Sequence, residues 1–166
     1  MIYIIGGLPG AGKTTYSKKL AIEKNAVVFS TDAWMTDLFW MDQAPGEDAS
    51  WAIERVGRCE SRMMKTCLQL AEIGASSILD IGFVNLKWRQ KTYQILDKAN
   101  VPFEVHFLKA DRDIRWERVK KRNKEKGETY SFEVTEEMLD FMDGVHDPID
   151  ASEMSGKLVL VDSECQ

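Results

Sequence analysis

Gly7-Leu8-Pro9-Gly10-Ala11-Gly12-Lys13-Thr14 follows the apolar stretch Ile2-Tyr3-Ile4-Ile5 and leads into Thr15-Tyr16-Ser17-Lys18-Lys19-Leu20, which reads as a helix. A glycine, four spacers and Gly-Lys-Thr between a strand and a helix form the pattern of a phosphate-binding loop. Polyphosphate is held by backbone N–H groups pointed inward at close range, and side chains at the glycine positions would obstruct that approach. The residues expected to hold nucleotide are therefore Gly7, Leu8, Pro9, Gly10, Ala11, Gly12, Lys13, Thr14 and Thr15. Lys13 is the expected cation on the β- and γ-phosphates, and the Thr14 hydroxyl a Mg2+ ligand.

Working outward, apolar runs alternate with helical patterns along all 166 residues, the signature of a mainly parallel sheet covered on both faces. Strands are expected over Met1–Gly6, Ala26–Ser30, Ser76–Ile81, Pro102–Leu108 and Lys157–Val161. Helices are expected over Gly12–Lys24, from Asp32 or Ala33 with Thr31 as its cap, and over Ala49–Gly74, Leu86–Ala99, Asp113–Lys126 and Thr135–Gly144. In the long helix Ala52, Val56, Cys59, Met63, Cys67, Leu70 and Ala71 recur at spacings of three and four, which defines one buried face. This is a five-stranded, three-layer α/β arrangement, and a single domain over residues 1–166 is expected. Met41–Asp48 carries loop residues.

Composition bounds the partners. Hydrophobic residues make up 44% and charged residues 30%, as in ordinary globular proteins, and no apolar run approaches a membrane span. Met1 leads directly into a core strand, so no signal or transit segment is expected. Cys59, Cys67 and Cys165 are odd in number and lack metal-site spacing, which fits a reducing cytoplasm. The formal net charge of −5 argues against a long nucleic-acid partner, although a local basic patch would overrule it. Oligomeric state is not readable.

In such sheets ligands bind beyond the carboxyl ends of the strands. Asp32, Asp80 and Asn85 fall there. Asp32 is a candidate base for an attacking hydroxyl, or else a carboxylate favoured by the start of a helix. Asp80 fits the second acidic element of phosphate-loop proteins, holding Mg2+ directly or through water. Arg115, Arg118 and Arg122 share one side of a charged helix, which reads either as a solvated face or as a lid over the phosphates, with the Lys126-Gly127-Glu128-Thr129 turn beside it. His106 and His146 read as satisfied histidines. Trp34, Phe39, Trp40 and Trp51 read as packing residues of a helical region at about 33–62, on the acceptor side.

Together these segments resemble the small P-loop kinases of the polynucleotide kinase, chloramphenicol phosphotransferase and zeta-toxin group. The resemblance rests on residues 7–15, Ser30-Thr31-Asp32, Ile78-Leu79-Asp80 and Arg118-Val119-Lys120-Lys121-Arg122-Asn123. The stretch from Trp116 through Gly127 to Met138 is similar to the lid of polynucleotide kinases. It implies a P-loop kinase fold with a helical lid at about 112–134, Asp32 as the catalytic base, and Arg122, with Arg118 beside it, on the transferred phosphate. The chain departs from the polynucleotide kinase pattern at Met35, where an arginine contacting nucleic-acid phosphate is expected. Asp37, Trp40, Asp42, Glu47 and Asp48 follow, an acidic rim suited to a neutral or cationic acceptor.

The leading expectation is an ATP- and Mg2+-dependent phosphotransferase acting on a hydroxyl of a small molecule. Two alternatives stand beside it, a 5′-hydroxyl nucleic-acid kinase and a nucleotide-dependent binding or switch protein. Guanine-specific switches carry Asn-Lys-x-Asp, whereas Asn123-Lys124-Glu125-Lys126 lacks the aspartate, so ATP is the expected donor.

Overall fold

The computed structural model describes residues 1–44, 46, 49–127, 130 and 132–163. Five strands, β1 (Ile2–Gly6), β2 (Ala26–Ser30), β3 (Ser76–Gly82), β4 (Phe103–Lys109) and β5 (Lys157–Asp162), form one sheet in the order β2-β3-β1-β4-β5. Every pairing is parallel, so the sheet is wholly and not only mainly parallel. The helices are α1 (Lys13–Lys24), α2 (Thr31–Leu38), α3 (Ala49–Glu72), α4 (Leu86–Lys98), α5 (Arg112–Glu125) and α6 (Glu136–Gly144). Short 3-10 turns cover Trp40–Asp42 and Ala151–Glu153.

The layers follow from side-chain alternation along buried strands. Ile2 and Ile4 on β1 join Leu79 and Val105 under Met35, Met63, Cys67, Tyr93 and Leu96 from α2, α3 and α4. Tyr3 and Ile5 join Ile78, Leu108 and Val161 on the other side, against Leu20 of α1. A third cluster of Val119, Val134 and Leu139 joins α5 to α6. Cys59 and Cys67 are buried thiols within α3, as its periodicity predicts.

Local signals set most boundaries. Gly74 lies at φ 78, and the Ala75 amide donates to the Leu70 carbonyl, so the glycine closes α3 as expected, just past its last helical residue. One expectation is corrected: Thr31 is the first residue of α2, and Ser30 caps it by accepting from the Ala33 amide. Ser30 wins because it is the last residue of β2 and still extended, as a capping residue must be. His106 bonds to Tyr16 and Glu104 inside the fold, in line with a satisfied core histidine. Among the described residues no helix is long and apolar enough to cross a membrane. Pro45, Glu47 and Asp48 of the expected loop and acidic rim, Glu128 and Thr129 of the expected lid turn, and Cys165 lie outside the described residues.

Candidate active site

The sheet order places β1 between β3 and β4, so the chain leaving β1 opens onto a crevice at the strands' carboxyl ends. Gly7-Leu8-Pro9-Gly10-Ala11-Gly12 fills that crevice, and α1 starts at Lys13 with no side chain capping it. The first amides of a helix have no acceptor within it, so this end presents N–H donors and a partial positive charge. Gly10 is required for two reasons. It sits at φ 79, and a Cβ there would lie 2.5 Å from the Arg115 carbonyl oxygen. The close approach binds the loop to α5: Arg115 donates to the Pro9 carbonyl and pairs with Asp143 of α6, while Arg118 donates to the Gly10 carbonyl and to Ser163 beyond β5.

A cavity of about 900 Å³ opens over the loop. Gly7, Pro9, Gly10, Gly12, Lys13, Thr14 and Thr15 line it; Ala11 is buried beneath, and Leu8 is not part of the wall. Lys13 donates through Nζ to the Leu8 carbonyl, 3.3 Å away, which folds the side chain back over its own loop. Asp80, Asp32, Arg118 and Arg122 line the same cavity. The expected site residues from four separate parts of the chain are thus brought together.

Their electrostatics differ. Asp80 is buried at the end of β3, and burial pushes its carboxyl up to about 6, against the Lys13 ammonium and the Thr14 hydroxyl, which pull it down. The Asp32 carboxylate, exposed in the first turn of α2, adds to the rise. Arg122 is half-buried with its Nε unpartnered; burial lowers its affinity for a proton while the Asp32 charge raises it.

Two expected participants are elsewhere. Asn85 caps α4 by accepting from the Trp88 amide. Arg115 is buried in its ion pair with Asp143 and does not line the cavity. Met35 is buried in the core at 2% exposure and offers nothing to a nucleic-acid phosphate. The aromatic cluster is packing, with Trp40 against Trp51 and Phe132, Phe29 against Trp34, and Arg55 over Trp51 and Phe39.

Two features escape a reading of the sequence. Glu60 of α3 lines the cavity, and burial pushes its carboxyl up to about 8. Its one signal was a carboxylate one turn after Val56, on the margin of the apolar stripe. The second is an apolar wall formed by Phe83 and Val84 after β3, Trp88 of α4, and Met138, Phe141 and Met142 of α6. Arg89 of α4 holds this wall together. Fully buried, it donates to the Val84, Asp147 and Pro148 carbonyls and pairs with Glu153 at 2.8 Å.

Comparison with known proteins agrees with this fold. The profile of the AAA domain family matches residues 2–149. A candidate kinase from Chloroflexus aurantiacus superposes with a TM-score of 0.75 at 22% identity, covering 98% of this chain and 84% of its own. A sugar kinase from a Janibacter species gives 0.67 at 14% identity, over 98% of this chain and 85% of its own. Chaetomium thermophilum Kti12, in complex with ADP-AlF3, gives 0.65 at 15% identity, over 98% and 89%. These likenesses show the fold.

Proposed function

The chain belongs to the AAA domain family matched over residues 2–149, a family of P-loop kinases, and from that premise we propose that it is an ATP-dependent phosphotransferase that moves the γ-phosphate to a hydroxyl of a small molecule. The observation that carries the reading is a single cavity lined at once by the phosphate-binding loop, Lys13, Asp80, Asp32 and Arg122. Sugar and nucleoside kinases among the structural neighbours support a small acceptor.

In this reading the loop amides and Lys13 hold the β- and γ-phosphates. Asp32 accepts the proton of the acceptor hydroxyl. Arg122 meets the charge that grows on the transferred phosphoryl group. Arg118 serves the same end less directly, because its guanidinium is already engaged with Gly10 and Ser163. The residues from about 112 to 134 form the lid. Its first turns are bonded to the loop through Arg115 and Arg118.

A hard divalent cation fits the donors present: the Thr14 hydroxyl and the Asp80 carboxylate act on one another beside the loop. Among the described residues no cluster of three or more His, Cys, Asp or Glu gathers, so phosphate oxygens and water would complete the shell of Mg2+. Bound there, it would supply positive charge against the phosphates.

The test is ADP release, above the background with water as acceptor, from the protein with ATP, Mg2+ and a panel of hydroxyl metabolites, antibiotics, nucleosides and sugars. Phosphorylated product is then identified by phosphorus NMR. Lys13→Ala should cut turnover by about a hundredfold or more, the loss on removing one preorganised electrostatic donor. Near-native turnover in a folded Lys13→Ala protein would overturn the assignment.

A further inference from the structure

In the reading above Glu60 has no part in holding nucleotide or in moving a proton from the acceptor. It lines the cavity beside Val56 and Thr31. Its Oε2 is buried, with only the Thr31 hydroxyl near it among the described residues, and that hydroxyl has no other partner. Native proteins rarely leave such atoms unmet, because a buried polar group without a partner forfeits its hydration. Burial raises the Glu60 carboxyl to about 8, with the Thr31 hydroxyl opposing the rise. A carboxyl of that kind becomes a carboxylate at neutral pH when a positive partner reaches it.

The remaining walls narrow what the partner is. The cations lining the cavity are Lys13, Arg118 and Arg122, and the carboxylates are Asp32, Glu60, Asp80 and Glu137. Lys13 and Arg118 are already turned onto carbonyls of the phosphate-binding loop. With Asp80 given to the metal and Lys13, Arg118 and Arg122 to the nucleotide phosphates in the reading above, the acidic groups left to the acceptor are Asp32, Glu137 and Glu60, the last a carboxylate once a positive partner reaches it. Such a wall repels an anionic acceptor. The other side is apolar and solvent-facing, with Trp88 42%, Met138 48% and Phe141 67% exposed. Clustered exposed apolar side chains at the mouth of a cavity mark a surface that a ligand covers.

We propose that the acceptor is an amphipathic amino alcohol, with its protonated amine on Glu60, its hydroxyl presented to Asp32, and its apolar body against Trp88, Met138 and Phe141. The assignment rests on the phosphotransferase reading above. In the transfer the acceptor oxygen forms the new O–P bond as the bond between the γ-phosphorus and the ADP oxygen breaks. The hydroxyl proton passes to Asp32, ADP leaves, and the amine remains unreacted. Glu60 is a specificity residue in this scheme.

The test uses matched aryl alcohols with and without an amine next to the hydroxyl-bearing carbon: 2-amino-1-phenylethanol against 1-phenylethanol and 1-phenyl-1,2-ethanediol, and the naphthyl members of the same series. Each is measured twice, by calorimetric binding to the protein loaded with ADP and Mg2+, and by ADP release with ATP. The amines should bind at least about tenfold more tightly than their neutral partners, as expected for a charge-assisted bond. Glu60→Gln, which keeps the side-chain shape, should abolish that preference. Trp88→Ala should weaken amine and neutral members alike. Equal binding of neutral members, a preference that survives Glu60→Gln, or no binding by any member would each overturn the proposal. Glu60-dependent binding without phosphorylated product would leave the amine site standing and defeat the phosphotransferase reading. Product from polyols but not from amines would do the reverse.

Discussion

Ser30 and Asp80 are register partners at the carboxyl ends of β2 and β3. The chain turns straight from Ser30 into α2, so the first turn of that helix lies beside the end of β3. Asp32 consequently raises the affinity of Asp80 for a proton, while Lys13 lowers it from the side of the loop. Strand register alone therefore couples the candidate base to the candidate metal ligand, from segments about fifty residues apart in the chain.

Asp80→Asn should raise the Mg2+ concentration for half-maximal activity by about tenfold or more, the scale seen when groups around a metal are altered. A metal-binding carboxylate must be ionised. With Asp80 held near 6, the wild-type Mg2+ requirement should climb as pH falls through about 6, and the variant should lack that climb. A Mg2+ titration at several pH values checks both, and an unchanged requirement in Asp80→Asn would make Asp80 a packing residue.

Glu60 should leave a signature in stability. Its carboxyl binds a proton more tightly folded than unfolded, rising from 4.5 to about 8. The folded state therefore holds more protons between those values, and stability falls as pH rises through that window. Glu60→Gln cannot ionise and escapes the loss. Relative to the variant, the wild type should lose about 2–3 kcal/mol between about pH 5 and about pH 9, the shift discounted for partial solvent access. Urea midpoints at the two pH values measure it; parallel behaviour of both proteins would contradict the burial of this group.

The sheet and the phosphate-binding loop were legible because their signals are local. Ile2-Tyr3-Ile4-Ile5 is apolar on both faces, as only a covered parallel strand can be, and Gly-Lys-Thr follows at once. Glu60 was not legible in the same way: the α3 periodicity separates apolar from polar positions, and a carboxylate on the margin of the stripe looks solvated. Arg89 was invisible for a related reason. In Leu86-Lys87-Trp88-Arg89-Gln90-Lys91 it reads as one more surface cation, and its burial depends on carbonyls at 147 and 148 arriving from the far end of the chain. The apolar wall has no local pattern, since its residues come from a loop and two helices.

Arg89→Met should destabilise the protein by about 3–5 kcal/mol, because Glu153 is left as a partly buried charge and three carbonyls lose their donor. Replacing both partners, with Arg89→Met and Glu153→Met together, should recover part of the loss. Denaturant midpoints measure it. Unaltered stability in the single variant would mean that the wall stands without this clamp.

Arg122→Ala should lower kcat far more than it raises KM for ATP, since the guanidinium is matched to charge that appears only as the phosphoryl group transfers. Steady-state kinetics with saturating acceptor separate the two. A raised KM with kcat unchanged would assign Arg122 to ordinary nucleotide binding.

Asp32→Asn removes the candidate base while keeping its size and part of its hydrogen bonding. The asparagine cannot take a proton at neutral pH, so transfer to the acceptor should slow by about 10²–10⁴-fold if deprotonation accompanies attack. The lower end of that range is the expectation, because a loose phosphoryl-transfer transition state asks little of the base early in the reaction. Affinity for ATP should change little, as Asp32 stands at the start of α2 and not in the phosphate-binding loop. Loss of its charge also removes one of the influences raising Asp80. The pH below which Mg2+ is lost should therefore move down slightly in the variant, an effect that a merely structural Asp32 remote from the metal would not produce. Single-turnover transfer, ATP affinity and the pH dependence of Mg2+ activation together decide the role. If ATP affinity collapses while transfer per bound ATP survives, Asp32 holds the nucleotide or its metal and is not the base.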